Sequence, residues 1–257
     1  MNFENSVKTV LNSGKSVFGL ATADQSELTG KLTINCQPDF LWIDLEHRSY
    51  GTYEVRWLPV LCRQAGVMPM IRVPGLDPMW AKKALDIGAN TIMFPQINNA
   101  EEARLAVEYC KFPPEGTRGI SPMWTIFMDI GWEDYLPAAN QETAVVVQVE
   151  SPEGMENLDE IAQVEGVDVV FAGPADLSAS LGAIGNPEHP KVREYLAKFP
   201  EVTEKYGKAA GITFASIERC QESYDEGYRF INIGGLVHHG TAATKILADF
   251  RAKDGRE

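Results

Sequence analysis

The run AVVVQVESPEGMENLDEIAQVEGVDVVFAG (144–173) reads as strand, helix, strand. Its outer pieces, AVVVQVE (144–150) and VDVVFAG (167–173), are β-branched and apolar on both faces, the pattern of parallel strands covered by helices. Between them SPEGMENLDEIAQVEG (151–166) carries apolar residues at helical spacing, with Ser151 placed to cap its first turn. Two parallel strands joined by a helix make one βα crossover, and the remaining question is how often the unit recurs.

Working outward, SVFGLAT (16–22), FLWIDLE (40–46), VMPMIRV (67–73), TIMFPQI (91–97), GITFA (211–215) and RFINIGG (229–235) repeat the strand pattern and bring the number of runs to eight. Helix-period stretches separate most of them, among them DPMWAKKALDIGA (77–89) and NAEEARLAVEYCK (99–111), with Asp77 and Asn99 as N-caps. Eight such units in 257 residues predict one (β/α)8 TIM barrel, spanning 1–257 as a single domain. An open doubly wound sheet would want a glycine-rich nucleotide turn, and neither GxGxxG nor GxxxxGK[ST] occurs. The segment FPPEGTRGISPMWTIFMDIGWEDYLPAANQET (112–143) is too long for a turn and predicts a lid or a subunit contact, with the aromatic loop 120–132 at its centre.

Acidic side chains outnumber basic ones by 36 to 23, a formal charge of −13, which argues against nucleic acid and membrane surfaces as partners. An anionic substrate would then need local arginine or a metal to reverse the field. Cys36, Cys62, Cys110 and Cys220 lie far apart, without the close spacing of a zinc site or disulfide framework, so buried free thiols are expected. The opening MNFENSVKTVLNSGKSVFG has no long apolar run behind a basic start, and a reducing cytoplasm is the expected setting.

Active sites of such barrels lie at the C-terminal ends of the strands. There the sequence places Asp44, Glu46 and His47 after the second strand, Arg72 after the third, Gln148 and Glu150 after the fifth, and Gly173, Pro174, Ala175 and Asp176 after the sixth. Strand alternation puts Gln148 and Glu150 on one face, as it does Asp44 and Glu46. Glu150 and Asp176 supply hard oxygen ligands in an incomplete shell, which suits a divalent ion that keeps sites for water and substrate; Glu46 is a competing ligand. His47, following an acidic pair at a strand end, is expected to be a general base, and Arg72 to pair with Asp44, face a substrate oxyanion, or both. His189, His238 and His239 are expected at exposed or helix-end positions.

The set DFLWIDLEH (39–47), PMIRVPGLDP (69–78), ALDIGANTIMFPQINNAEEA (84–103), KFPPEGTRG (111–119) and VVQVESPEGMENLDEIAQVEGVDVVFAGPADLSASLG (146–182) resembles the HpcH/HpaI aldolase family, the class II metal-dependent 2-oxo-acid aldolases. The resemblance covers nearly the whole chain and is weakest before residue 39 and after 211. It implies a TIM barrel of the phosphoenolpyruvate/pyruvate type, with Mg²⁺, Mn²⁺ or Co²⁺ on Glu150 and Asp176. It also implies a 2-oxo acid seated by Gln148 and the Gly173–Asp176 backbone, and Arg72 on that acid's oxygen. Asp44 would orient Arg72. His47 would be the base, and Asp86 its acidic co-worker, reaching it across a subunit contact. The implied reaction is reversible aldol cleavage of a 4-hydroxy-2-oxo acid to pyruvate, or a relative, and an aldehyde, in a homo-oligomer such as a hexamer.

The chain departs from the family after Arg118-Gly119. Many members continue with small residues and another arginine, whereas Ile120 to Met128 here are mostly apolar and aromatic, which puts an acceptor with a distal carboxylate in doubt. No lysine stands on strands two to six, which disfavours a Schiff-base route. Decarboxylation or condensation of oxaloacetate on the same scaffold is the alternative chemistry. A catalytically idle barrel serving as an interaction module is the alternative of another class, and a citrate-lyase-like acyl-CoA enzyme would want the basic surface this chain lacks.

Overall fold

The computed structural model describes residues 3–22 and 24–253. Eight parallel strands close into a barrel in chain order: β1 (Val17–Ala21), β2 (Phe40–Asp44), β3 (Met68–Arg72), β4 (Thr91–Phe94), β5 (Ala144–Val149), β6 (Val169–Ala172), β7 (Ala209–Thr213) and β8 (Phe230–Asn232). Closure is by β1 on β8, with Gly19 opposite Asn232. The seventh strand begins two residues before the expected run, in the short Ala209-Ala210 stretch that carries little β-branched signal.

Alternation sorts the side chains into two cores. Val17, Phe40, Trp42, Met68, Met70, Met93, Val146, Val169, Phe171 and Phe230 fill the barrel itself. The intervening residues, such as Leu41, Ile43, Ile71, Val145 and Val147, pack against the helices outside. Phe40 stacks on Phe230 at 4.2 Å and Trp42 meets Phe171 edge-on at 5.4 Å, so aromatic rings close the barrel below its mouth. Gly19 makes room for this layer, since a Cβ there would stand 2.1 Å from the Phe40 ring. The N-terminal end is stoppered by the helix Ser6–Asn12. Asn5 ties that helix down through hydrogen bonds from its side-chain amide to the carbonyls of Asn90 and Glu142 and to the Thr91 hydroxyl.

Asp77, Asn99 and Ser151 cap their helices, accepting from the backbone N–H of Met79, Glu102 and Gly154. The expected 151–166 helix is instead two short ones, Pro152–Glu156 and Leu158–Ala162. The break falls at Asn157, whose side chain donates to the Asn98 carbonyl at 2.8 Å and so serves the neighbouring loop.

The 112–143 segment does not cover the mouth of its own barrel. It connects the end of the helix Ala100–Cys110 to the start of β5, both at the N-terminal end of the barrel and away from the mouth. It folds into a 3-10 turn, Met123–Met128, and a helix, Trp132–Glu142. Trp124, Tyr135, Phe112 and Ala139 join Phe3 and Val60 in a small core of their own. Ile120, Met123, Ile126 and Phe127 remain exposed. Cys62, Cys110 and Cys220 are buried free thiols, whereas Cys36, expected to be buried, is exposed. No helix among the described residues is long and apolar enough to cross a membrane.

Candidate active site at the barrel mouth

The alternation that sends Phe40 and Trp42 into the barrel sends Asp44 into its mouth, and the same logic on β3 and β5 delivers Arg72 and Gln148. Asp44 grips the Arg72 guanidinium with both carboxylate oxygens, at 2.9 and 2.8 Å. Burial pushes the Asp44 carboxyl up, but the hydrogen bonds and charge of Arg72 outweigh it and hold the group below its usual range. Trp42 lies beneath, its ring centre 4.9 Å from the guanidinium carbon. The remaining Arg72 nitrogen, Nη1, stands 2.9 Å from Glu46 Oε2 and 3.4 Å from Gln148 Oε1. The Glu46 contact is an ion pair without hydrogen-bond alignment, for that oxygen is buried and receives no directed donor.

Glu150 follows β5 and is 4% exposed. Gln148 donates to one of its oxygens at 2.5 Å and the Gln96 backbone N–H to the other at 3.0 Å. Gln96 adopts the left-handed conformation, φ 57°, where the chain turns out of β4. Gly173 completes the cradle, because a Cβ there would stand 2.2 Å from Glu150 Oε2 and 2.9 Å from Gln148 Nε2. Burial pushes the Glu150 carboxyl up to about 8, and the charges of Asp176 and Glu46 add to that rise. Burial also raises Glu46, against the pull of Arg72 and His47.

Asp176 sits in the first turn of the helix Pro174–Ser180, exposed toward the mouth side, and Pro174 and Ala175 lead into it from the Gly173 cradle. His47 stands at the rim, its side chain 59% exposed and Nε2 3.7 Å from Glu46. Asp86 is not in this group. It is the last residue of the helix Pro78–Asp86, which returns to the N-terminal end of the barrel, and it pairs there with the fully buried Arg118 side chain at 3.3 Å. His189 caps the helix Pro190–Leu196, His238 bonds the Ile233 carbonyl, and the His239 side chain lies outside the described residues.

Among the described residues no three His, Cys, Asp or Glu side chains form a ready ligand shell. The donor set nonetheless fits a divalent ion whose shell is completed by water and substrate. The Arg72 guanidinium pairs with Asp44 and Glu46, and the buried Glu150 carboxyl is pushed up by burial and by the charges of Asp176 and Glu46, so a further cation would relieve the surplus of carboxylate. Trp42 and Gln96 escaped the sequence reading. Trp42 shares the inward face of Asp44 and was open to the same alternation argument, whereas nothing local marks Gln96.

The fold is a closed parallel barrel whose mouth carries an arginine clamped between buried carboxylates. A family model, HpcH/HpaI aldolase/citrate lyase, matches residues 20–241, and the chain belongs to that family. It is 37% identical over 232 residues to a hydroxypyruvate/pyruvate aldolase of Roseobacter denitrificans, covering 89% of this chain and 90% of that one. It is 36% identical over 254 residues to a 4-hydroxy-2-oxo-heptane-1,7-dioate aldolase of Escherichia coli, covering 97% and 96%. A crystal structure of an HpcH/HpaI aldolase/citrate lyase family protein from Burkholderia cenocepacia superposes with a TM-score of 0.87 at 33% identity, covering 96% of this chain and 99% of the other.

Proposed function

We propose that this chain catalyses reversible aldol cleavage of a 4-hydroxy-2-oxo acid to pyruvate, or a close 2-oxo acid, and an aldehyde, with Mg²⁺, Mn²⁺ or Co²⁺ held by Glu150 and Asp176. The observation that carries the reading is the surplus of carboxylate around a single fixed guanidinium, with Glu150 cradled by Gly173, Gln148 and Gln96. The ion, when bound, supplies the positive charge that lowers the cost of removing a proton beside a carbonyl.

Arg72 is the organising residue. Asp44 locks two of its nitrogens, so Nη1 is the one left to turn from Glu46 and Gln148 toward a substrate oxygen, where it stabilises charge as an enolate develops. Gln148 and the backbone from Gly173 to Asp176 seat the acid. His47, at the open rim, moves the proton between substrate and solvent. Asp86 lies at the opposite end of its own barrel, so work with His47 requires the Asp86 of a second copy. No lysine competes: the buried Lys111 donates to the carbonyls of Asn140 and Thr143 at the N-terminal end. Incubation with 4-hydroxy-2-oxo acids tests the proposal. Pyruvate release that stops on chelation and returns with Mn²⁺ is expected, and full activity after exhaustive chelation overturns the metal-dependent reading.

A further inference from the structure

We propose that the half of the mouth floor formed by β7, β8, β1 and β2 is a hydroxyl-binding subsite, in which Trp42 and Asn232 select a substrate that carries a hydroxyl beside its reacting carbonyl. The proposal rests on the aldol reading above and states which members of that substrate class the chain prefers.

Register places the two residues. Phe40 and Phe230 stack at 4.2 Å, so they share one layer of the barrel interior. Two residues further along the same strands, Trp42 and Asn232 share the next layer, again on the inward face. Above them the odd-numbered strands send Ala21, Arg72, Gln148 and Thr213 inward as the floor of the mouth. Arg72 and Gln148 build that floor up over β3 and β5. On the other half, β1 stands between β8 and β2 and offers only the methyl group of Ala21, so the floor is lowest between Asn232 and Trp42.

Each of the two residues has one polar atom to spare. Thr213 donates its hydroxyl proton to the Asn232 main-chain carbonyl at 3.1 Å and so accepts from the Asn232 side chain, whose Nδ2 stands at 2.9 Å. That exchange fixes which way round the amide sits and leaves Asn232 Oδ1 as a free acceptor. Trp42 Nε1 is a donor and nothing else. Both residues are 4% exposed, and neither atom has a hydrogen-bond partner among the described residues. A hydroxyl satisfies the pair at once, accepting from the indole and donating to the amide oxygen. A methyl group satisfies neither, a carboxylate meets the lone pairs of Oδ1, and an ammonium meets the indole N–H. Trp42 also lies against the Arg72 guanidinium, 4.9 Å from its ring centre, so this subsite is continuous with the arginine that faces the substrate oxygen.

The hydroxyl arrives either on a 3-hydroxy-2-oxo acid or on a 2-hydroxyaldehyde, and two arms of one test separate these sources. With Mg²⁺ present, titration calorimetry compares hydroxypyruvate with pyruvate, and kcat/KM for condensation with pyruvate compares glycolaldehyde with acetaldehyde. The hydroxylated compound is expected to be favoured by at least about ten-fold in one arm, because its plain counterpart leaves two buried groups unpaired. In folded Asn232→Leu and Trp42→Phe variants that ratio should fall toward one. No preference in either arm of the wild type, or a ratio undiminished in both variants, overturns the proposal. A calorimetric preference without any condensation would leave the subsite standing and count against the aldol reading instead. Proton NMR of the wild type gives a readout free of turnover. The Trp42 indole N–H resonance, identified by its loss in Trp42→Phe, should move with the favoured hydroxylated compound and stay with its plain counterpart. A resonance that both compounds leave in place, or move equally, would mean that the indole serves no substrate hydroxyl and would also overturn the proposal.

Discussion

At Gly173 the absence of a side chain is what lets a carboxylate be held. A methyl group there would overlap both the Oε2 and the Cβ of Glu150, at 2.2 and 2.7 Å, so relaxation of one flexible end cannot relieve it. Gly173→Ala should cost about 100-fold in kcat/KM, the order expected for displacing a reacting group by about 1 Å, and should lower stability by about 1–3 kcal/mol as the overfilled cradle shifts. Activity within two-fold of wild type would mean that the Glu150 position does not matter. Most of the site was legible at this scale. Asp44, Arg72, Gln148 and Glu150 are ionisable or polar residues where strands otherwise all apolar come to an end, and alternation alone turns them inward. The Gln96 contribution was not, because its backbone conformation is set by the loop it enters and its own side chain plays no part in the contact to Glu150. Asp86, which the resemblance sets beside His47 across a subunit contact, lies at the far end of its own barrel, as helix direction requires.

Strands and caps could be read from short-range pattern, since β-branched runs and side-chain oxygens before a helix act locally. Failures occur where a tertiary contact overrides that pattern. Asn157 breaks a helix in order to bond Asn98, and the 112–143 segment finds its place through Trp124. That ring packs on Tyr135 at 5.1 Å and under the Arg63 guanidinium at 3.9 Å, while Arg63 donates to the Gly88 carbonyl. Burial pushes the Arg63 guanidinium down to about 10. Trp124→Ala should therefore destabilise the fold by about 3–5 kcal/mol, the range for removing a buried tryptophan, as read by urea denaturation. A loss below about 1 kcal/mol would show that the segment rests on the barrel without supporting it.

For the molecule as a whole, a carboxyl raised in the folded state binds its proton more tightly folded than unfolded. Stability is then full below the ordinary value of 4.5 and is lost as pH rises toward about 8, through the Glu150 contribution. The ion-free protein should accordingly melt lower at pH 8 than at pH 5.5. Millimolar Mn²⁺ should recover most of the difference in the wild type and little of it in Glu150→Gln, which melts at nearly the same temperature at both pH values. A wild-type melting temperature that climbs from pH 5.5 to 8 without metal would contradict this assignment.

The central claim is that Glu150 and Asp176 bring a divalent ion to a 2-oxo acid held by Arg72, and that this arrangement generates an enolate. Exchange of the pyruvate methyl protons for deuterium in heavy water tests it without knowledge of the aldehyde. The account predicts exchange that requires Mg²⁺, Mn²⁺ or Co²⁺ and is abolished in Glu150→Ala. Exchange that proceeds equally without metal, or undiminished in Glu150→Ala, would contradict it.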